Sequence, residues 1–201
     1  MRAWVIVMGL LATVGCADKP QKAPEPVPAA LATHVLDDIP SDLTDRTFID
    51  FGGKVHIVGA KLTPAGIVRP GEKMRLVLYW RSVEPLTPGW SLFTHVVNAR
   101  GQRLENVDNV GPLRERGASG TQALPPSAWQ PGKVYVDEQE FEMPRGVSDP
   151  EVTVVVGVWK GNARLSVISG PSDRENRAII AHVKTGVRPA KPVAQNAPEQ
   201  K

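Results

Sequence analysis

The sequence predicts an all-β fold: a single antiparallel β-sandwich of seven or eight strands, immunoglobulin-like or jelly-roll-like, with disordered tails. Three observations predict it. Between residues 52 and 185, short apolar runs are separated by turns rich in glycine and proline. Two of the runs, 74–82 and 134–143, alternate apolar and polar residues with the period of two that belongs to strands. Helical spacing is almost missing, and no internal repeat at a fixed period is visible.

The elements follow in chain order. Residues 29–51 are ambiguous; Ser41, Asp42 and Thr44 suit either a turn or the cap of a short helix. Residues 54–62 (KVHIVGAKL) form the first expected strand, and 64–71 a turn region. In 74–82 (MRLVLYWRS), Met74, Leu76, Leu78 and Trp80 share one face, and Arg75, Val77, Tyr79 and Arg81 the other. After a Pro-Gly break, 90–97 (WSLFTHVV) is a strand, and Asn98 to Gly101 turns it into 102–105. The stretch 106–131 has no clear periodicity. In 134–143, Val134, Val136, Glu138, Glu140 and Glu142 lie opposite Tyr135, Asp137, Gln139, Phe141 and Met143. Residues 152–159 (VTVVVGVW) are almost all apolar and β-branched, which predicts a central strand buried on both faces. Lys160, Gly161 and Asn162 turn the chain into 164–169, and 177–184 (RAIIAHVK) reads as the last strand.

Composition fits one such domain with tails. The chain has 201 residues, of which 41% are hydrophobic and 22% charged. Twenty-four basic residues against 21 acidic ones give a net charge of +3, too weak a bias for a nucleic-acid footprint. Residues 17–28 (ADKPQKAPEPVP) cannot pack a core and favour extended polyproline II, so they read as a tether. Residues 186–201 carry no apolar period and read as a disordered tail.

At the N-terminus, Arg2 precedes an apolar run over 3–14, which is too short to span a bilayer as a helix. The run ends in Thr13-Val14-Gly15-Cys16, and Cys16 is the only cysteine in the chain. This segment resembles the signal and lipobox of bacterial lipoproteins, with threonine in place of the usual leucine at position 13. The resemblance implies cleavage before Cys16 and acylation of its sulfur and its new amine, so that Cys16 is a lipidation site and residues 1–15 are a signal peptide. It implies a cell-envelope location on a lipid anchor. Ala17, where an aspartate would retain many lipoproteins at the inner membrane, favours the outer membrane by the same analogy. The expected organisation is then signal peptide 1–15, anchor, tether and lead-in 16–51, sandwich 52–185 and tail 186–201.

A second resemblance lies in the core. Phe93-Thr94-His95-Val96-Val97-Asn98-Ala99-Arg100-Gly101 with Asp108 resembles a pattern of extracytoplasmic bacterial β-sandwich modules. These occur in lipoproteins and at the C-terminal ends of some glycosyltransferase-like membrane proteins. Leu76 to Trp80, Trp129-Gln130-Pro131-Gly132, Asp137, Pro144 and Val156 to Trp159 continue the pattern, although Lys160-Gly161-Asn162 departs from it. The resemblance implies architecture and a place outside the cytoplasm, and no catalytic chemistry.

The candidate sites are modest. His95 shares parity with Phe93 and Val97, so it is expected to point inward, with Asp108 or Asp137 as its hydrogen-bonding partner; all three read as structural polar residues. The other histidines, His34, His56 and His182, are scattered without metal-ligand spacing, and neither a metal nor a cofactor is expected. Asn106, Asp108 and Asn109 offer oxygens, but their spacing is no EF-hand loop. Trp80 and Trp159 follow buried strands and read as structural, whereas Trp90 and Trp129 lie by turns and are the expected ligand contacts. Arg114 and Arg116, in the long irregular stretch, are the other expected contacts with a partner or an anionic glycan. The function expected is therefore that of a membrane-anchored, non-enzymatic binding or interaction module, with a glycan or an envelope protein as partner. The alternative is an envelope hydrolase acting on glycans through the acidic strand (Asp137, Glu138, Glu140, Glu142) and His95.

Overall fold

The computed structural model describes residues 26–188. Cys16, the signal segment, most of the tether and residues 189–201 lie outside the described residues. Two antiparallel sheets face one another, so the fold is an all-β sandwich. The first contains β1 (Val35–Leu36), β2 (Arg46–Phe51), β3 (Val55–Thr63), β4 (Lys73–Ser82), β7 (Val134–Glu142) and β10 (Val167–Ser169), in the order β1-β7-β4-β3-β2-β10. The second runs β11-β8-β5-β6, from β11 (Ala178–Lys184), β8 (Glu151–Lys160), β5 (Ser91–Val97) and β6 (Arg103–Asn106). A short β9 (Ala163–Arg164) folds back on the end of β8. Among the described residues, no helix is long and apolar enough to cross a membrane.

The alternating runs form the strands their periodicity predicts. In β4, Met74, Leu76, Leu78 and Trp80 are all buried between the sheets, while Arg75, Val77, Tyr79 and Arg81 face out. In β7, Glu138 faces out and its carboxylate meets Arg75 of the neighbouring strand at 2.5 Å. The β-branched β8 lies in the middle of its sheet and sends Val152, Val154, Val156 and Val158 into the core. From β5, Leu92 and Val96 meet them there.

The domain begins earlier than residue 52. Strand β2 lies between β3 and β10, and Phe51 and Ile49 are core residues, so the expected lead-in supplies part of the first sheet. Upstream, Leu31 is buried from a short 3-10 turn (Ala29–His34), β1 pairs with β7, and the His34 imidazole donates from Nδ1 to the Val136 carbonyl at 3.0 Å. At the other end, Val187 packs against the core, so the first residues of the segment expected as tail belong to the folded domain. Sequence periodicity missed β1 and the 3-10 turn because they are too short to show a period, and β2 because adjacent Phe48 and Ile49 break its alternation.

The stretch 106–131 is neither a lid nor a free loop. Val107, Leu113, Leu124 and Trp129 are buried along it. It runs beside β5, where β6 is too short to cover the strand edge. There Gln122 acts as a surrogate strand: its Oε1 accepts from the Leu92 amide at 2.8 Å and its Nε2 donates to the Leu92 carbonyl at 2.9 Å. Asp108 Oδ1 accepts the next amide on that edge, Thr94 N, at 3.0 Å. Gly111 brings the segment directly against β7, at φ +101°, where a Cβ would lie 2.0 Å from the Glu138 carbonyl oxygen. That close approach carries Arg114 over β7.

Candidate functional site

Arg114 and Asp137 are both fully buried, and they pair with each other. Arg114 Nη2 donates to Asp137 Oδ2 at 2.7 Å, and Nε reaches both carboxylate oxygens at 3.1 and 3.0 Å. Trp80 Nε1 and Gln139 Nε2 also donate to Oδ2, at 3.1 and 3.3 Å. A buried ion pair needs this degree of hydrogen bonding to offset the loss of water. Arg114 is therefore corrected from a contact residue to part of the interior, and Asp137 is the partner of Arg114 and not of His95.

Trp129 is corrected for a similar reason. It is 2% exposed and stacks on Tyr135, with ring centroids 4.5 Å apart and planes at 9°. Its indole N–H donates to the Leu124 carbonyl at 3.0 Å, and Trp80 is tilted against it with ring centroids 6.2 Å apart. No face is left for a sugar ring. Trp90 is half-buried and packs against the core. Arg116 is exposed but holds its own loop together, donating to Asn109 Oδ1 at 2.6 Å and to the Gly120 carbonyl.

A cleft of ≈ 540 Å³ lies elsewhere, on the outer face of the second sheet. Since Leu92 and Val96 face the core, Phe93, His95 and Val97 face the opposite way. His95 is thus buried, as its strand position suggests, but it faces away from the space between the sheets. Across the ladder Phe93 pairs with Gly157, and Ser91 with Trp159. Gly157 has no Cβ, and one placed there would stand 2.5 Å from the Phe93 ring, so the ring lies over the glycine. Trp159, expected to be structural, lines this cleft and is only partly buried.

The cleft wall is built by β9 and the loop before β11. Arg164 pairs with Trp159 across the β8–β9 hairpin and places its guanidinium 5.4 Å from the Phe93 ring centroid. Arg164 Nη1 donates to Glu175 Oε2 at 3.0 Å and to the Glu175 carbonyl at 2.9 Å. The loop itself is tied by Asp173, whose Oδ1 accepts from the amides of Glu175 and Arg177 at 2.8 and 3.1 Å. Beside it Asn176 has φ 56°, the one non-glycine residue with positive φ among the described residues, and it lines the cleft.

His95 Nε2 stands 3.3 Å from Asp108 Oδ1 without hydrogen-bond alignment. Burial pushes the Asp108 carboxyl up, but His95, the Thr94 amide and the nearby Arg114 charge outweigh it and hold the group below its ordinary value of 3.8. A carboxyl depressed in the folded state adds stability above its ordinary titration range and loses it as pH falls through the folded value. The variant Asp108→Asn keeps an oxygen for the Thr94 amide and removes the charge. Denaturation at a series of pH values is expected to show it less stable than the parent at neutral pH, with the gap closing below about pH 4.

His95 Nε2 and Trp159 Nε1 are both shielded from solvent and lack a hydrogen-bond partner. Leaving such a group unmade costs about 1–3 kcal/mol. Two in one cleft, on a floor of aromatic rings, with a wall fixed by ion pairs and an Asx turn, is an arrangement suited to holding a small polar ligand in place. It does not assemble the hydrolase constellation. Glu138, Glu140 and Glu142 point to the outside of the first sheet, and His95 to the outside of the second, with the core between them. Among the described residues no group of three or more His, Cys, Asp or Glu side chains could hold a metal ion.

No protein-family model matches this chain, and no curated protein matches it either. The site is therefore read from its own geometry. The signal for it in the sequence was the shared parity of Phe93 and His95 and the single glycine, Gly157, inside a β-branched run. The ladder register that sets one against the other is what local reading lacked.

Proposed function

We propose that this protein is a lipid-anchored module of the bacterial cell envelope that binds a saccharide without transforming it, in the cleft beneath Arg164. The anchor is Cys16, and the membrane it enters is the outer membrane. The observation that carries the binding reading is the pair of partnerless nitrogens, His95 Nε2 and Trp159 Nε1, on one aromatic-floored cleft. Ligand hydroxyls accept hydrogen bonds from N–H groups such as the Trp159 indole. The partly exposed Trp159 ring offers a sugar an apolar face to stack on. An envelope saccharide is the partner that the expected location would supply.

The reading predicts that soluble oligosaccharides prepared from bacterial envelope polymers shift the Trp159 indole N–H resonance in a saturable way. A collection of such fragments that leaves this resonance unmoved at millimolar concentration would remove the saccharide reading.

A further inference from the structure

Two side chains at the cleft are donors without a partner. Trp159 Nε1 is a donor only. Arg103 lines the cleft from β6, opposite Val97 and so on the same outer face as His95. Its guanidinium is also a donor only, and among the described residues it has no hydrogen-bond or ion-pair partner. His95 Nε2 lies beside them, 3.3 Å from Asp108 Oδ1.

Each acid at the same site has one carboxylate oxygen engaged. Asp108 Oδ1 takes the Thr94 amide and faces His95. The Glu175 carboxylate lies against Arg164 at 3.0 Å and Arg177 at 3.6 Å, and Arg177 is fixed in turn by Asp173 at 2.6 Å and by the Gly101 carbonyl. Among the charged groups lining the cleft, Arg103 is the exposed cation without a partner.

A neutral sugar presents hydroxyls that both donate and accept, and would leave that charge unanswered. A carboxylate only accepts, and it matches the two-pronged guanidinium. We propose that the ligand is an acidic saccharide, of the uronic acid class, whose carboxylate binds Arg103 while its ring lies against Trp159. This rests on the saccharide reading of the cleft and narrows it. Asp108 and Glu175 oppose a second negative charge nearby, so the site is expected to take one carboxylate at the Arg103 side and to disfavour ligands with clustered anions.

The test compares galacturonate oligomers with neutral galactose oligomers of the same length, by calorimetric titration of the whole folded protein. The galacturonate oligomers are expected to bind at least about tenfold more tightly, the scale of one hydrogen bond to a charged group, and to weaken as salt is raised. Arg103 is exposed, so Arg103→Gln keeps the fold; it is expected to erase the preference, so that the acidic and neutral oligomers bind equally. Equal affinities in the parent, or a preference that survives in Arg103→Gln, overturns the acidic-ligand proposal while the saccharide reading stands. Binding of neither series overturns both. Inorganic phosphate and acetate serve as competitors: displacement of galacturonate by either alone at equal concentration would show a simple anion site and overturn the proposal, and no displacement supports it.

Discussion

Replacing Arg114 by alanine is expected to destabilise the domain by about 3–5 kcal/mol, read as a fall in the denaturant midpoint at unchanged slope. Asp137 is fully buried, and without Arg114 its negative charge would keep only the donors of Trp80 and Gln139. Neither of those donors carries charge. The loss is expected to spread beyond the pair, because Arg114 sits on the segment that Gly111 brings against β7 and that Gln122 holds to β5. Asp137→Leu alone is expected to be similarly severe, since it strands the guanidinium. Removing both charges together, as Arg114→Met with Asp137→Leu, is expected to cost less than the sum of the single changes, because neither ion is then left buried alone. A strictly additive double variant would show that the two residues act separately.

Trp129→Ala is expected to cost about 3–5 kcal/mol, the range for emptying a large aromatic site in a core. The ring ends a row of aromatics across the first sheet: it stacks on Tyr135 of β7 and tilts against Trp80 of β4, which in turn meets Phe51 of β2 at 5.5 Å. Tyr135 depends on the same arrangement, because its hydroxyl accepts from the Gln130 amide at 2.6 Å. Burial also pushes the Tyr135 phenol above its ordinary value of 10.0. Denaturation of the variant, followed by circular dichroism, checks the expected loss; a change of less than about 1 kcal/mol would show that the site collapses onto the gap.

These two residues show where the sequence is legible and where it is not. Local alternation settled β4 and β7 to within a residue or two, because a period of two is a property of neighbours along the chain, and a continuous β-branched run settled β8. It also put Glu138, Glu140 and Glu142 on one face, which the sheet turns outward. Trp129 and Arg114 lie in a stretch without a period, and there burial is decided by partners far away in sequence: Tyr135 and Trp80 for one, Asp137 for the other. A proline- and glycine-rich segment with scattered charges looks the same whether it is exposed or strapped across a sheet end. Gln122 illustrates the point, since nothing local marks it as the side chain that completes the edge of β5.

The cleft was half legible. Parity put Phe93 and His95 on one face, and Asp108 was one of two acids expected beside His95. Which face was outward depended on Leu92 and Val96 meeting the valines of β8, a pairing that alternation alone does not give. Trp159 was masked by the apolar run it ends. Its position at the cleft follows from the hairpin to β9, which sets Arg164 beside it.

The central claim is that the outer face of the second sheet, and no other surface of the sandwich, binds the ligand. The most direct measurement is a nitrogen–proton correlation spectrum of the folded domain during titration with galacturonate oligomers, following the indole signals of Trp80, Trp90, Trp129 and Trp159 separately. The Trp159 signal is expected to move and saturate, while those of Trp80 and Trp129, whose N–H groups are already committed to Asp137 and Leu124, stay in place. Movement of the Trp90 signal with Trp159 unchanged would contradict the account, because it would put the ligand on a different surface.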